Sequence, residues 1–289
     1  MKNRLAIILI LTVALLLFAV LFFIRALPYE QIIATVKPLG FPIKMGDSDL
    51  KTSALPKNLL QSLESLVQDR TGNFAVFIED LDTNQTVSLN SDEEFYAASL
   101  YKVPLAISVL QEVEAGNISF TDTLVYQERH FVAGSGVLQQ EQFGSEHTIN
   151  TLLSHLLKNS DNVAQEMLLE VANRSSLYNM MPDIVDIKVT DVALIYEDLY
   201  MGNYLNGENT LLLLDYMTGT SFDDRIQVGL PENVNFAHKI GNWPELGVWH
   251  DCGIALSTSN STLICVMSKN TTLEEFVEVA SSIGGLLSL

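Results

Sequence analysis

Residues 98–104 read Ala-Ser-Leu-Tyr-Lys-Val-Pro and open a predicted helix that continues to Ala115. A serine and a lysine three residues apart on a helix share one face, so Ser99 and Lys102 should be neighbours. A serine hydroxyl needs a nearby base to become nucleophilic, and a lysine with a lowered pKa can be that base. The free N–H groups at a helix start also favour a developing oxyanion. This stretch therefore predicts a serine nucleophile paired with a lysine.

Two further stretches carry side chains suited to the same chemistry. Ser160-Asp161-Asn162 lies at the junction of two predicted helices, and His238-Lys239-Ile240-Gly241 lies on a predicted strand. In chain order the three stretches read Ser-x-x-Lys, Ser-Asp-Asn and Lys-x-Gly, the set typical of class A β-lactamases and penicillin-binding proteins. Over about residues 55–289 the chain resembles a class A β-lactamase-related serine hydrolase of the penicillin-recognising superfamily.

The resemblance implies four catalytic residues. Ser99 would attack the acyl carbon, and Lys102 would take its proton directly or through water. Ser160 would relay a proton to the leaving nitrogen. Lys239 would bias that relay and supply positive potential for a substrate carboxylate. Ser160 and Asp161 are also residue types that commonly cap the start of a helix, so a purely structural role is the alternative for each of them.

The resemblance also implies the residues that bind substrate. Asn162 would offer its amide to the substrate and help to hold Lys102. The backbone N–H groups of Ser99 and Asn242 would form the oxyanion hole, and Gly241 would let the backbone come close to the ligand. The implied partner is a β-lactam or a peptidoglycan-derived peptide, with no metal and no cofactor, and the protein is expected to be a monomer.

Two departures from the family pattern bear on the reaction. Ile240 stands where the third motif usually carries a hydroxyl that binds the substrate carboxylate. Residues 173–189, where a deacylating glutamate should lie, contain only Asp183 and Asp186 as carboxylates, and Glu166 lies on a helix instead. We therefore expect acylation to be intact and hydrolysis of the acyl-enzyme to be weak. A penicillin-binding D,D-peptidase-like enzyme and a non-catalytic cell-wall binding module of the same fold remain alternatives.

The amino end predicts a membrane anchor. Residues 5–24 are an uncharged, mostly apolar run long enough to span a bilayer as a helix. Lys2 and Arg4 precede this run, which predicts a cytosolic tip at residues 1–4 and a domain outside the cytoplasm. A cleaved signal peptide is the competing interpretation. The proline-containing residues 25–54 are expected to be a spacer between the single-pass anchor in the cell membrane and the hydrolase domain at 55–289.

The order of predicted elements indicates an α/β (α+β) fold. An early hairpin and three late strands favour one antiparallel sheet built from both ends of the chain and flanked by helices. An all-helical lobe at about 95–190 would be inserted between them, as in β-lactamases and transpeptidases. The predicted strands are 74–81, 86–89, 236–241, 248–256 and 262–268, and the predicted helices include 56–68, 99–115, 162–172, 190–200, 208–217 and 272–287, with 121–147 irregular and 173–189 a loop.

Charge and cysteine content narrow the classes of partner and site. The net charge of –19 makes nucleic acid an improbable partner. Cys252 and Cys265, the two cysteines, are placed symmetrically about a predicted turn at 257–261, so they could face each other on adjacent strands. A disulfide and a pair of buried thiols are both compatible with that position.

Overall fold

The computed structural model describes residues 55–257, 260–287 and 289. The predicted anchor at 5–24 and the predicted spacer at 25–54 lie outside the described residues. Within the described ranges, no helix combines the length and the apolar character that a bilayer crossing requires.

One five-stranded antiparallel sheet joins the two ends of the described chain. Its strand order is β2-β1-β9-β8-β7, so the early hairpin meets the late strands where β1 pairs with β9. All nine residues of β8 are buried, as expected of a central strand, whereas the edge strand β2 is partly exposed. This arrangement confirms the predicted sheet. The strands of the sheet are β1 (Asn73–Asp80), β2 (Gln85–Leu89), β7 (Asn235–Trp243), β8 (Val248–Leu256) and β9 (Thr262–Lys269).

Helices cover both faces of this sheet. The first and last described helices, α1 (Leu59–Val67) and α9 (Leu273–Gly285), enclose an apolar core against one face. Helix α6 (Val189–Tyr200) packs on β1, β8 and β9 outside that core, on the opposite face. Burying apolar side chains on both faces explains why β1, β8 and β9 are almost continuously apolar.

The inserted lobe is built around one buried helix. Helix α2 (Lys102–Glu114) is buried at every residue from Lys102 to Leu110, because other helices pack around it. These neighbours are α3 (Ile149–Lys158), α4 (Asn162–Leu168), α5 (Arg174–Met180) and α7 (Gly207–Tyr216). The hydroxyl of Thr148 accepts a hydrogen bond from the N–H of Thr151 and so caps the start of α3.

The lobe is not all-helical, which corrects that prediction. Two short strand pairs lie within or beside it, β3 (Glu94–Phe95) with β6 (Ile187–Lys188) and β4 (Thr123–Val125) with β5 (Glu146–Thr148). Strands of two or three residues show no periodicity in a sequence, so the region 121–147 looks irregular.

Two predictions need correction, and one short helix was not predicted. The predicted loop 173–189 contains α5, which buries only Leu177 and therefore has little apolar pattern, although Asn173 caps it. The helix predicted to run from 162 to 172 ends at Leu168 as α4. A one-turn helix, α8 (Ile226–Gly229), is too short to predict.

The two cysteines occupy the place that their spacing predicts. Cys252 on β8 is directly opposite Cys265 on β9, both side chains are fully buried, and they form a disulfide. Of the two alternatives compatible with the sequence, the structure contains the bonded one.

Candidate active site

Ser99 lies in a tight turn at the entrance to the central helix. The turn is a 3-10 helix, Ala98–Tyr101, that leads directly into α2, so the predicted helix start has a tighter geometry than an α-helix. Ala98 has a φ of 46°, in the left-handed region that residues other than glycine rarely adopt. Such strain is characteristic of functional turns. The turn leaves Ser99 half-buried between a buried Leu100 and the sheet.

Lys102 is the first residue of α2 and is completely buried. Its Nζ atom donates to the carbonyl oxygen of Ser160 at 2.5 Å and to Oδ1 of Asn162 at 2.8 Å, and it lies 3.4 Å from Oγ of Ser160. Burial lowers the pKa of Lys102 to about 7, although the negative charges of Asp161 and Glu166 act in the opposite direction. A substantial fraction of this amine is therefore neutral near neutral pH and can accept a proton.

Asp161 organises the second motif, a contribution that the sequence alone does not reveal. Its Oδ1 atom caps α4, and its Oδ2 atom binds a loop more than twenty residues earlier in the chain. Gly136 belongs to that loop, and a Cβ atom at Gly136 would lie 2.2 Å from Cγ of Asp161. Only glycine fits there, so the loop around Gly136 and the Ser-Asp-Asn motif are one structural unit. The four backbone N–H donors to this carboxylate are those of Val137, Leu138, Val163 and Ala164.

Asn162 connects this unit to Lys102. Its Oδ1 atom accepts from Lys102, and its Nδ2 atom donates to the carbonyl of Ala133 at 3.3 Å. The backbone N–H of Asn162 also donates to the carbonyl of Ser135 at 3.0 Å. Ser160, just before it, has a φ of 52°, so the chain turns sharply at this residue.

Lys239 approaches the same region from β7. It is 1% exposed, and its Nζ atom donates to the carbonyl of Ile240 at 3.1 Å. Burial, Lys102 and Arg225 hold the pKa of Lys239 well below its ordinary value, while Asp251 opposes them. The repulsion between Lys239 and Lys102 shows that the two amines of the first and third motifs share one electrostatic environment.

Gly241 allows β7 to lie close to the turn that carries Ser99. A Cβ atom at this position would be 3.0 Å from the carbonyl oxygen of Ala97, 3.3 Å from Cβ of Ala98 and 2.9 Å from Cδ2 of His250. Glycine at this position therefore lets β7 approach the turn that carries Ser99, while the predicted close approach to a ligand stays a prediction. Asn242 is the next residue of β7, so its backbone lies one position beyond this close contact.

A buried ionic network supports the strand that carries Lys239. Nδ1 of His238 lies 2.6 Å from Oδ1 of Asp251, and Nε2 lies 3.0 Å from Oδ1 of Asp223. Burial lowers the pKa of His238, but the two carboxylates outweigh it and raise the pKa to about 9. Nη1 of the buried Arg225 donates to the carbonyl of His250 at 2.8 Å. These contacts fix β7 and β8 from the side of the strand opposite Lys239.

A sequence match to a family model identifies the family, and the match covers nearly all of the described residues. A family model described as the beta-lactamase enzyme family matches residues 58–288, which include all three motifs. The chain belongs to the beta-lactamase enzyme family.

Individual members of the family are distant from this chain. Beta-lactamase VEB-1 of Pseudomonas aeruginosa is 26% identical over 122 residues, which are 42% of this chain and 41% of VEB-1. Beta-lactamase SME-1 of Serratia marcescens is 23% identical over 230 residues, 71% of this chain and 78% of SME-1. The chain thus spans about two fifths of VEB-1 and more than three quarters of SME-1.

Solved structures show the same fold. A variant of PBP-A, solved as an acyl-enzyme complex with penicillin G, superposes with a TM-score of 0.72 at 20% sequence identity. The superposition covers 79% of this chain and 97% of that one. At this identity the likeness establishes the fold of the beta-lactamase domain.

Two features distinguish this beta-lactamase family member within its site. The side chain of Ile240 is only 2% exposed, so it is packed inside the protein. In the segment 173–189, Asp183 and Asp186 are both exposed, and Oδ1 of Asp183 accepts from the N–H of Val185 in its own turn. Neither carboxylate is held inside the site.

Proposed function

We propose that this chain is a serine acyl hydrolase that forms an ester on Ser99 with β-lactams and hydrolyses that ester slowly. The observation that carries the proposal is the environment of Lys102. A buried amine with a pKa of about 7 lies at the head of the helix that follows Ser99, in hydrogen-bonding contact with Ser160 and Asn162. Membership of the beta-lactamase family supports the same reaction.

Acylation requires the proton of Ser99 to reach the leaving nitrogen. Neutral Lys102 takes that proton, and Oγ of Ser99 forms a bond to the lactam carbonyl carbon. The C–N bond then breaks, and Ser160 gives its hydroxyl proton to the nitrogen while Lys102 returns a proton to Ser160. The backbone N–H groups of Ser99 and Asn242 stabilise the oxyanion. The 3.4 Å separation of Lys102 Nζ from Ser160 Oγ suits this relay.

Lys239 is proposed to bind the carboxylate of the substrate. Without a ligand, burial and the neighbouring cations keep the pKa of Lys239 well below its ordinary value. A substrate carboxylate beside this amine would favour its charged form, so binding and proton uptake would be linked. Asn162 is proposed to hold the acylamide of the substrate.

Slow deacylation is proposed because the segment 173–189 offers no buried carboxylate. Its two aspartates are exposed, and Asp183 already accepts a backbone hydrogen bond. Hydrolysis of an ester needs a water activated by a base within hydrogen-bond reach. The acyl-enzyme should therefore outlive the acylation step.

A D,D-peptidase-like activity on peptidoglycan-derived peptides is the second candidate. The same lack of a loop glutamate favours it, since long-lived acyl-enzymes with β-lactams are expected of an enzyme that evolved for peptide substrates. PBP-A, which shares the fold, formed an acyl-enzyme with penicillin G as a variant.

We place this domain outside the cytoplasm on a single-pass anchor at residues 5–24. The support is the uncharged run and the basic residues before it, Lys2 and Arg4. Fractionation of cells that produce the full chain, with protease added from outside, tests this location. Protection of the domain from external protease in spheroplasts would contradict it.

Turnover of a chromogenic cephalosporin tests the proposed function. With enzyme and substrate at comparable concentrations, a slow hydrolase gives a burst equal to the enzyme concentration, followed by slow steady turnover. A burst with no later turnover, together with cleavage of a D-Ala-D-Ala peptide, would favour the peptidase. No burst and no covalent labelling would instead favour a binding module and refute the proposal.

A further inference from the structure

Glu166 is a carboxylate beside the catalytic lysine that the acylation mechanism does not use. It lies on α4, not in the segment 173–189, and it follows Asn162 by four residues. Residues four apart on a helix share one face and have Cβ atoms about 5–6 Å from each other. Because Asn162 contacts Lys102, the helix places the side chain of Glu166 along the same wall of the site.

The charge of Glu166 acts on two consecutive residues, Tyr101 and Lys102, at the end of the turn that carries Ser99. Its negative charge raises the pKa of Lys102 and, after burial, is the largest cause of the raised pKa of Tyr101. Tyr101 and Lys102 are the last residue of the 3-10 turn and the first residue of α2. The carboxylate therefore lies near the turn that presents Ser99.

In the described part of the chain, the other carboxylate whose charge acts on Lys102 already accepts several hydrogen bonds. Within the described residues, Asp161 and Glu166 are the two acidic groups that act on Lys102. Asp161 accepts four backbone hydrogen bonds and is completely buried. Glu166 is half-buried, and its Oε1 atom accepts from Nε2 of Gln165 at 2.9 Å. Of these two acidic groups, Glu166 is therefore the one that is partly exposed to solvent.

We infer that Glu166 is the general base that activates water for the hydrolysis of the ester on Ser99. The inference deepens the proposed function and depends on it. Glu166 removes a proton from a water molecule, whose oxygen forms a bond to the ester carbonyl carbon. The bond from that carbon to Oγ of Ser99 then breaks, and the proton passes to the serine oxygen. The products are free Ser99 and the opened β-lactam acid, with no other reactant needed.

Separate measurement of the two half-reactions tests this assignment. The variant is Glu166→Gln, which keeps the size of the side chain and removes the base. Acylation by a penicillin should change less than about threefold, and deacylation should slow by about 100-fold or more. Intact mass spectrometry over time should show acyl-enzyme accumulating in Glu166→Gln and clearing in the wild type.

Two controls distinguish a base from a structural role. Hydroxylamine needs no general base, so it should release the acyl group from Glu166→Gln and from wild type at similar rates. The double variant Asp183→Asn/Asp186→Asn removes the exposed loop carboxylates and should deacylate at the wild-type rate. Loss of deacylation in the double variant would assign the base to the loop instead.

The possible outcomes distinguish a failure of the inference about Glu166 from a failure of the proposed function. Acylation of the wild type with equal deacylation by wild type and Glu166→Gln overturns the inference and leaves the proposed function standing. A wild-type protein that is never acylated refutes the proposed function itself. Loss of acylation in Glu166→Gln alone would assign Glu166 to the support of Lys102 and also overturn the inference.

Discussion

Lys102 and Asn162 are joined by a 2.8 Å hydrogen bond from Nζ to Oδ1, between the first residues of two different helices. This contact brings the Ser-x-x-Lys and Ser-Asp-Asn motifs, sixty residues apart in the chain, into one site. Both helix starts are fixed, one by the strained turn at Ala98 and the other by the Asp161 cap. These contacts hold Lys102 and Asn162 together without a substrate.

The pKa of Lys102 predicts how acylation depends on pH. The amine must be neutral to take the Ser99 proton, and its pKa is about 7. The acylation rate constant should therefore rise with pH through about 7 and level off above it, with a neutral fraction of about 1% two pH units below the pKa. Stopped-flow acylation from pH 5 to 9 measures this.

The variant Lys102→Ala should acylate about 10²- to 10⁴-fold more slowly, and its acylation rate should no longer rise through pH 7. A wild-type acylation rate that does not change with pH would contradict the proposed role of Lys102.

Gly136→Ala should destabilise the domain and disturb the site together. The new Cβ atom would lie 2.2 Å from Cγ of Asp161, and the φ of 109° is unfavourable for alanine. Gly144→Ala is a matched control, since Gly144 has a φ of 97° and nothing within 4 Å of the new atom. We expect the control to cost about 1 kcal/mol of unfolding free energy and Gly136→Ala at least about 2 kcal/mol more. Urea denaturation measures both, and equal losses would refute the tight packing on Asp161.

The sheet could be predicted from the sequence because its strands bury long apolar stretches. Apolar runs in the sequence indicate β8 and β9 clearly. The spacing of the two cysteines, which lie opposite each other on these strands, agrees with that prediction. The sequence has no such apolar pattern at helix α5 or at the strand pair β4–β5, since α5 buries only Leu177 and the strands have three residues each. Their structure depends on packing against the lobe and not on local pattern.

The motif residues of the candidate site could be predicted from the sequence. The buried carboxylates that hold those motifs in place could not. Ser99, Lys102, Ser160 and Lys239 are marked by spacing and order, which a single sequence displays. The bond between Asp161 and the loop at 137–138 joins residues more than twenty positions apart, and no local pattern reports it. The same holds for Asp251 beneath β7, which pairs with His238 across neighbouring strands.

His238 predicts a loss of stability at high pH. Its pKa of about 9 in the folded protein exceeds the ordinary value of 6.5, because Asp251 and Asp223 outweigh burial. The protonated form therefore stabilises the fold fully below pH 6.5, and this contribution is lost as the pH rises through 9. The loss should be on the order of 3 kcal/mol.

Urea denaturation at pH 6 and pH 10, on wild type and His238→Asn, isolates this contribution. The wild type should lose more unfolding free energy between the two pH values than the variant does. An equal loss in both proteins would show that other groups cause the pH dependence and that His238 is not charged in the fold.

The disulfide between Cys252 and Cys265 predicts that the purified protein has no reactive thiol. Both cysteines are buried, and the bond closes a loop with a sequence separation of 13 residues. Closing a loop of that size is worth about 3 kcal/mol in the chain-entropy model. Thiol titration in denaturant should find none before reduction and two after it, and Cys252→Ala/Cys265→Ala should unfold at lower urea. Two thiols in unreduced protein isolated from an oxidising compartment would contradict this.

We propose that Ser99 carries the acyl group, and an intact mass measurement tests this most directly. Wild-type protein incubated with benzylpenicillin should gain the mass of one penicillin molecule, and peptide mapping should place it on Ser99. Ser99→Ala, with the same thermal unfolding midpoint, should gain nothing under the same conditions. Equal mass gain by the two proteins would contradict the account.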